Sequence, residues 1–414
     1  MMPRVWIAAG CPHATTTLYR CLHLQEQLTE MGAEAVVREW REDNLNLVDE
    51  ALQYDLMVLQ RVAMSVAVRR LIDAAHLQGK KVVFDTDDLI FEPQLIQWHR
   101  GVARLTAAEQ QLYTEGVHRY QATLEACDYV LTTSALLAEL AQKHGKTAFV
   151  HRNAIGREMQ ALGDQLLAQR QKQTREERIV IGYGSGTPTH DVDFEQTAPA
   201  LLDMMTRYPQ VELWLVGPLE LPQSLNLLRH RIHRFPLTDW RGWFELVSQF
   251  DINLAPLEMN NLFCRAKSEI KFSEAALFEI PTVASRIDPF VYAITPGQNG
   301  LLAANMVDWI DALDLLISQP AQRQLMGQAA RRTVNEHYSL RARAAELTAI
   351  LAQMQMNGQS TQLPSEVPAN LSESSALHQD KLLGTDDVAL LGDKGTAPFV
   401  PLVINWLVSE PFEG

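Results

Sequence analysis

The feature that most constrains this chain is an alternation, run through twice, of short apolar segments with helix-length amphipathic stretches. The first series has apolar runs at 5–8, 34–38, 56–60, 81–85, 129–132 and 148–151, with helical patterns at 18–31, 65–78, 107–126 and 134–144 between them. The second has runs at 178–183, 211–216, 231–235, 252–256, 282–285 and 300–303, with helical patterns at 193–208, 240–250, 267–278, 306–318 and 321–336. Strands alternating with helices form a parallel sheet covered by those helices. The expected fold is therefore α/β, with two doubly wound parallel-sheet domains facing a central cleft. We place them at 1–155 and 179–339, joined by a Gln- and Arg-rich helical linker at 156–178. A closing helix at 340–356 and a tail at 357–414 follow. Open parallel sheets bind ligands at the carboxyl ends of their strands, so the chemistry is expected just beyond the strand ends, in the cleft.

Composition narrows the classes of function. Of 414 residues, 47% are apolar and 21% charged, as in an ordinary soluble globular protein. Thirty-six Lys and Arg against fifty Asp and Glu leave a formal charge of -14, which argues against nucleic acid as a partner. Cys11, Cys21, Cys127 and Cys264 show no CxxC or zinc spacing, so unpaired thiols and a reducing compartment are expected. MMPRVWIAAG is too short an apolar run for a signal peptide, and 399–408 is about half a bilayer span. A cytoplasmic protein is expected. Peripheral contact with the inner face of a membrane, through Arg69 and Arg70 or Lys80 and Lys81, stands beside the reading of those pairs as ordinary solvated surface. The tail is low in complexity to about residue 375. Its terminal VPLVINWL could dock as a strand or bind a protein partner.

Three segments could carry chemistry. Gly182 to Asp191, GYGSGTPTHD, follows a strand and precedes a helical pattern. Its glycines would let backbone approach an anion, and the helix N-terminus would offer free N–H groups. It fits neither GxGxxG nor a P-loop, and a tight turn with Thr189 or Asp191 as cap explains it equally well. The second segment, CRAKSEIKFSEAA, sets Lys267, Lys271 and Glu274 at i, i+4 and i+7 of an expected helix. Two lysines so placed repel unless an anion lies between them, and a carboxylate one turn on could accept from sugar hydroxyls. A solvated stripe is the alternative. The third, VVFDTDDL, crowds Asp85, Asp87 and Asp88 at a strand end, which should raise at least one carboxyl pKa. Asp88 could instead cap the next segment. The histidines, His151, His230 and His233 among them, form no metal pattern, and Ser134 reads as a helix cap and not a nucleophile.

In order along the second series, IVIGYGSGTPTHDVDF, LVGPLELP, the stretch from DINLAPLEMNN to EIPTVAS, and GQNGLLA resemble the donor-binding half of group-1 glycosyltransferases, the retaining family four of GT-B fold. EAALFEIPTVAS is similar to that family's E-A-x-x-x-G-x-P-V-V-A-S. DYVLTTSALLAEL and FVHRNAI resemble its first half more weakly, and the resemblance spans roughly residues 1 to 350. Two positions depart from the family. Ala266 stands where an acidic residue usually precedes Glu274 by eight positions, and Glu279 replaces a glycine. Lys271 to Glu274 instead resembles a branch that carries K-x-x-E.

The resemblance implies a nucleoside-diphosphate sugar as donor, a glycan or lipid-linked acceptor, retention of configuration, and no metal or other cofactor. It implies that Glu274 binds the donor ribose and that Lys267 and Lys271 offset the diphosphate charge. Gly184, Ser185, Gly186 and Thr187, with His190 beside them, would close on the phosphates. Asp87 falls where the family places a histidine near the anomeric carbon, making Asp87 and Lys271 the catalytic candidates. Asp85, the loop at 12–17, Tyr19 and Arg20 would face the acceptor. A catalytically weak nucleotide-sugar-binding partner subunit and a nucleotide-sugar epimerase are the rival readings.

Overall fold

The computed structural model describes residues 2–359 apart from 12, 45, 173–176 and 188–189. The expectations for Pro12, for Thr189 as a cap and for the tail from 360 onward lie outside the described residues. Two six-stranded sheets form the framework. The first holds β1 (Val5–Ala9), β2 (Ala35–Glu39), β3 (Leu56–Gln60), β4 (Lys81–Thr86), β5 (Tyr129–Thr132) and β6 (Thr147–Val150), in the order β2-β1-β3-β4-β5-β6. The second holds β7 (Ile179–Gly184), β8 (Val211–Val216), β9 (Ile232–Phe235), β10 (Ile252–Ala255), β11 (Thr282–Ser285) and β12 (Leu301–Ala303), in the order β12-β11-β10-β7-β8-β9. All pairings within both sheets are parallel. Helices cover both faces, which is why β1, β3, β10 and β11 are buried along their whole length and are mostly apolar. Strand order reverses between β1 and β3 in the first sheet and between β7 and β10 in the second. Crevices open at the carboxyl ends of such neighbours.

Several expected helices differ in extent. The pattern at 267–278 is helical only over Ile270–Ala276, after a separate short helix at Leu262–Arg265 capped by Asn261. Lys267 therefore lies in a bend and shares no helical stripe with Lys271 and Glu274. The pattern at 193–208 breaks into Asp191–Glu195 and Ala198–Arg207. The one at 18–31 begins earlier, at Ala14, and contains a π-helical turn at Leu18–Leu22. Where a linker was expected, Arg157–Lys172 is a helix packed on the second sheet's layer, with Gly163 against Leu277 and Arg170 donating to the Ser248 carbonyl at 2.6 Å. No helix among the described residues is long and apolar enough to cross a membrane.

The chain passes between the two layers twice. It leaves the first through 151–156, where Ile155 bridges Ser339, and returns in the helix Leu340–Gln359. That helix buries Leu347, Ile350, Leu351 and Met354 against Val5, Ile7, Leu24 and Leu28, and the Met354 carbonyl accepts from the Tyr129 hydroxyl at 2.7 Å. Two histidines are buried at these crossings. His23 Nδ1 lies 2.9 Å from the Ala154 carbonyl, and burial pushes its pKa down to about 4. His151 is also lowered by burial, although Glu346 opposes the shift; Arg20 and Arg343 add to it.

Glu279, the family's glycine position, sits at φ +56°, in the left-handed region that glycine adopts without strain. An L-residue held there costs about 1–2 kcal/mol, partly offset in glycine by its looser unfolded chain. Glu279→Gly is expected to raise the unfolding free energy by about 0.5–1 kcal/mol in urea titration. The histidines generate a pH prediction. Both folded pKa values lie below the unfolded value of 6.5, and for His23 the unfolded chain binds more protons between pH 6.5 and about 4. Stability is full above pH 6.5 and falls as the pH drops through that window. From pH 7 to 5, His23 alone should account for a loss on the order of 1–2 kcal/mol, and His23→Gln should flatten the urea-midpoint profile accordingly.

Candidate active site

The loop after β7 shows why its glycines are there. A Cβ on Gly184 would lie 2.6 Å from the Trp243 ring, and one on Gly182 would fall 2.0 Å from the Phe250 ring. These two glycines seat aromatic side chains, which corrects the expectation that they let backbone approach an anion. Only Gly186 looks into open space, with nothing within 4 Å of its Cβ position. Ser185 is buried, and its hydroxyl donates to the Thr187 carbonyl at 2.8 Å, closing the turn. His190 Nδ1 is 2.8 Å from Asp193, and burial lowers its pKa. The helix that follows has only five residues, Asp191–Glu195, and carries acidic groups in its first turn. The helix expected to offer its N-terminal N–H groups is thus a single short turn with acidic side chains at that end.

Facing this loop across the β7–β10 switch is the helix Ile270–Ala276. Lys271 donates to the Gly184 carbonyl and stands 5.0 Å from the Tyr183 ring centroid; burial lowers its pKa, with Glu274 opposing. One turn on, both oxygens of Glu274 are engaged. Oε2 accepts from the Trp243 indole N–H at 2.9 Å, and Oε1 accepts from the Tyr19 hydroxyl at 2.7 Å. Burial raises the Glu274 pKa against the pull of those two donors and of Lys271. Tyr19, expected to face the acceptor, is therefore on the second-domain carboxylate Glu274 and packs among second-domain residues such as Phe244, Phe272 and Ala275.

The three aspartates after Phe84 part company. Asp85 is fully buried in a bidentate pair with Arg20, at 3.0 and 2.5 Å. Arg20 also donates to the His151 carbonyl and to Asn153. Both residues are thus consumed by each other and by the backbone at the hinge, which overturns the expectation that they face an acceptor. Burial pushes the Asp85 carboxyl up, against Arg20; crowding by Asp87 adds to burial and does not lead it. Asp87 accepts from Arg61 Nε at 2.7 Å. Asp88 caps no helix. It pairs with Lys267 of the other domain at 3.0 and 3.1 Å and with Arg61 at 3.5 Å. Burial would raise its pKa, but Lys267 and Arg61 overcome that and hold it below the usual range.

Other cross-domain contacts were invisible in the sequence. Arg152 pairs with Glu269 at 2.9 Å, and Glu269 also accepts from the Tyr338 hydroxyl at 2.8 Å. Ser134 accepts from the Leu137 N–H as a helix cap and donates to the Ala266 carbonyl at 2.9 Å. His99 packs on Phe263 with ring centroids 4.2 Å apart, and burial lowers its pKa to about 4. Among the described residues, Asp193, Glu258 and Cys264 come together as potential metal ligands. Their atoms are already used: Asp193 accepts from the Glu258 N–H at 2.9 Å and the Cys264 thiol at 3.5 Å, while Glu258 takes two hydrogen bonds from Arg100. Burial pushes the Cys264 thiol up, so it serves as a donor to Asp193. Trp243 is the main residue that sequence reasoning missed, because no motif marks an indole 31 positions from its carboxylate.

No curated protein matches the chain. Solved structures with the same arrangement include Anabaena HepE in complex with UDP-glucose, 14% identical, covering 85% of this chain and 100% of that one at a TM-score of 0.56. Sucrose-phosphate synthase from Thermosynechococcus elongatus is 14% identical and covers 86% and 99%, with a TM-score of 0.54. A glycosyltransferase from Rickettsia africae is 12% identical and covers 86% and 99%, with a TM-score of 0.56. A family profile described as Glycosyl transferase-like matches residues 200–349, from the helix after the glycine loop to the last helix. Residues 200–349 are thus similar to the glycosyl transferase-like family, and the chain has the GT-B fold of those structures.

Proposed function

We propose that this chain is a glycosyltransferase that moves a sugar from a nucleoside-diphosphate donor to a glycan or lipid-linked acceptor, with retention and without a metal. The observation that carries this reading is the placement of Lys271 and Glu274 one helical turn apart at the β7–β10 switch, with Lys271 donating to the Gly184 carbonyl of the glycine loop. A carboxylate suits ribose hydroxyls, and an ammonium beside it suits the diphosphate. The UDP-glucose held by HepE supports a uridine donor. When the sugar–phosphate bond breaks, negative charge builds on the departing diphosphate, and cations already aimed at it lower the barrier. Lys271 provides one. Lys267 provides the second once it releases Asp88. Asp87, oriented by Arg61, meets a hydroxyl of the donor sugar or the acceptor, and closure of the two domains keeps water from the reacting carbon.

The four free cysteines suit a reducing, cytoplasmic setting. A second reading, donor binding without turnover, draws support from Ala266. Its side chain is fully buried within the first domain's core cluster, so packing fills the place where the family usually sets a carboxylate.

Thermal unfolding with UDP tests the first step. At a hundred times its dissociation constant, UDP should stabilise by about 2.7 kcal/mol and shift the transition by several degrees. The shift should survive EDTA and vanish in Glu274→Ala. No shift with UDP would remove the uridine donor. A shift without transfer from UDP-sugars to any acceptor would favour the non-catalytic reading.

A further inference from the structure

The Glu274 carboxylate is almost closed off from solvent, at 7% exposure, and both of its oxygens already hold hydrogen bonds from the chain itself. The two donors are not equivalent. Trp243 belongs to the same domain as Glu274. Its ring is wedged against the Gly184 backbone and lies 5.9 Å from the Phe250 ring, so its N–H stays on Oε2 while the second domain is folded. Tyr19 comes from the first domain, 255 positions away in the sequence, on the π-helical turn Leu18–Leu22. It can leave Oε1 by a shift of one domain against the other. A phenol O–H and a ribose O–H offer a carboxylate oxygen the same interaction, a single hydroxyl proton donated along one lone pair.

We propose that Tyr19 is a specificity-determining residue of the donor site: its hydroxyl holds the place of a ribose hydroxyl on Glu274 Oε1, and donor binding exchanges one for the other. This rests on the reading of Glu274 as the ribose-binding residue. Trp243 is the positioning residue of the pair, since by holding Oε2 it aims Oε1 at whichever hydroxyl is present. The exchange breaks the Tyr19–Glu274 hydrogen bond, which a ligand that lacks the ribose hydroxyls leaves in place. The site therefore prefers ribonucleotides to their deoxy counterparts by less than Glu274 alone would dictate, because part of each ribose hydrogen bond replaces one already made.

Calorimetric titration of UDP and of 2′,3′-dideoxy-UDP into the full chain and into Tyr19→Phe tests this. Phenylalanine keeps the ring that packs edge-on to His23 at 5.1 Å and removes only the hydroxyl. The expected result is about tenfold tighter UDP binding by Tyr19→Phe, as befits one hydrogen bond to a charged group, with dideoxy-UDP unchanged within twofold. UDP binding that is unchanged or weaker, or an equal gain for both nucleotides, overturns the exchange. Trp243→Phe is the second variant. It should weaken UDP and spare dideoxy-UDP, and an equal loss for both would reduce Trp243 to a packing role. Wild-type chain that binds neither nucleotide overturns the donor-site reading itself. Wild-type chain that binds both equally, with no separation in Tyr19→Phe, leaves a nucleotide site and removes the exchange alone.

Discussion

Charges buried at the junction of two domains must meet opposite charges, and that requirement governs how the two sheets of this protein face each other. Asp88 of the first domain meets Lys267 of the second, and Arg152 meets Glu269. Such pairs gain little net stability, because desolvation consumes most of the Coulomb attraction. What they fix is geometry: moving either domain strands a charge. The apolar side chains follow the same exchange. Tyr19 is packed with the second domain's core cluster, while Ala266 joins the first domain's and Phe263 packs against it. Each domain is completed by a piece of the other, and the stretch from Glu258 to Glu274 makes most of those contacts.

The glycine loop after β7 is shaped from behind by aromatic rings. Trp243 and Phe250 press on Gly184 and Gly182, which leaves Gly186 as the point where the backbone turns outward. The Trp243 ring supports that loop, and its indole N–H holds the carboxylate opposite. A single side chain thus couples the two halves of the second domain's crevice. Arg20 plays the corresponding part in the first domain, tying Asp85 to the backbone at residue 151 and so fixing the helical turn that carries Tyr19.

The strands were legible because burial in a covered parallel sheet favours mostly apolar residues, and Tyr129–Thr132, Val211–Val216 and Thr282–Ser285 occupy the spans expected of them. Helix extents were less legible where tertiary contacts override local propensity. Lys267 has the right spacing for a helical stripe, yet its ion pair with Asp88 requires a bend. Residues 196–197 interrupt what reads as one helix, just beyond Asp193, whose carboxylate binds His190 and the backbone at Glu258. Within the site, Lys271 and Glu274 could be singled out because they are neighbours in sequence. Their partners could not, since Tyr19 and Trp243 reach Glu274 from 255 and 31 positions away. The crowding of Asp85, Asp87 and Asp88 was visible, but not that three different cations would divide them.

The final helix carries a consequence for how the protein is made. Its residues Leu347, Ile350, Leu351 and Met354 complete the apolar layer against β1, β3 and the helix His23–Glu30. The first domain, although synthesised first, remains without part of its own core until the ribosome has produced some two hundred further residues. At typical translation speeds that interval is roughly 10–40 s. Throughout it, a strip of greasy surface on the nascent domain is uncovered. Residues 340–359 thus act as a late-arriving lid on a domain made well before them.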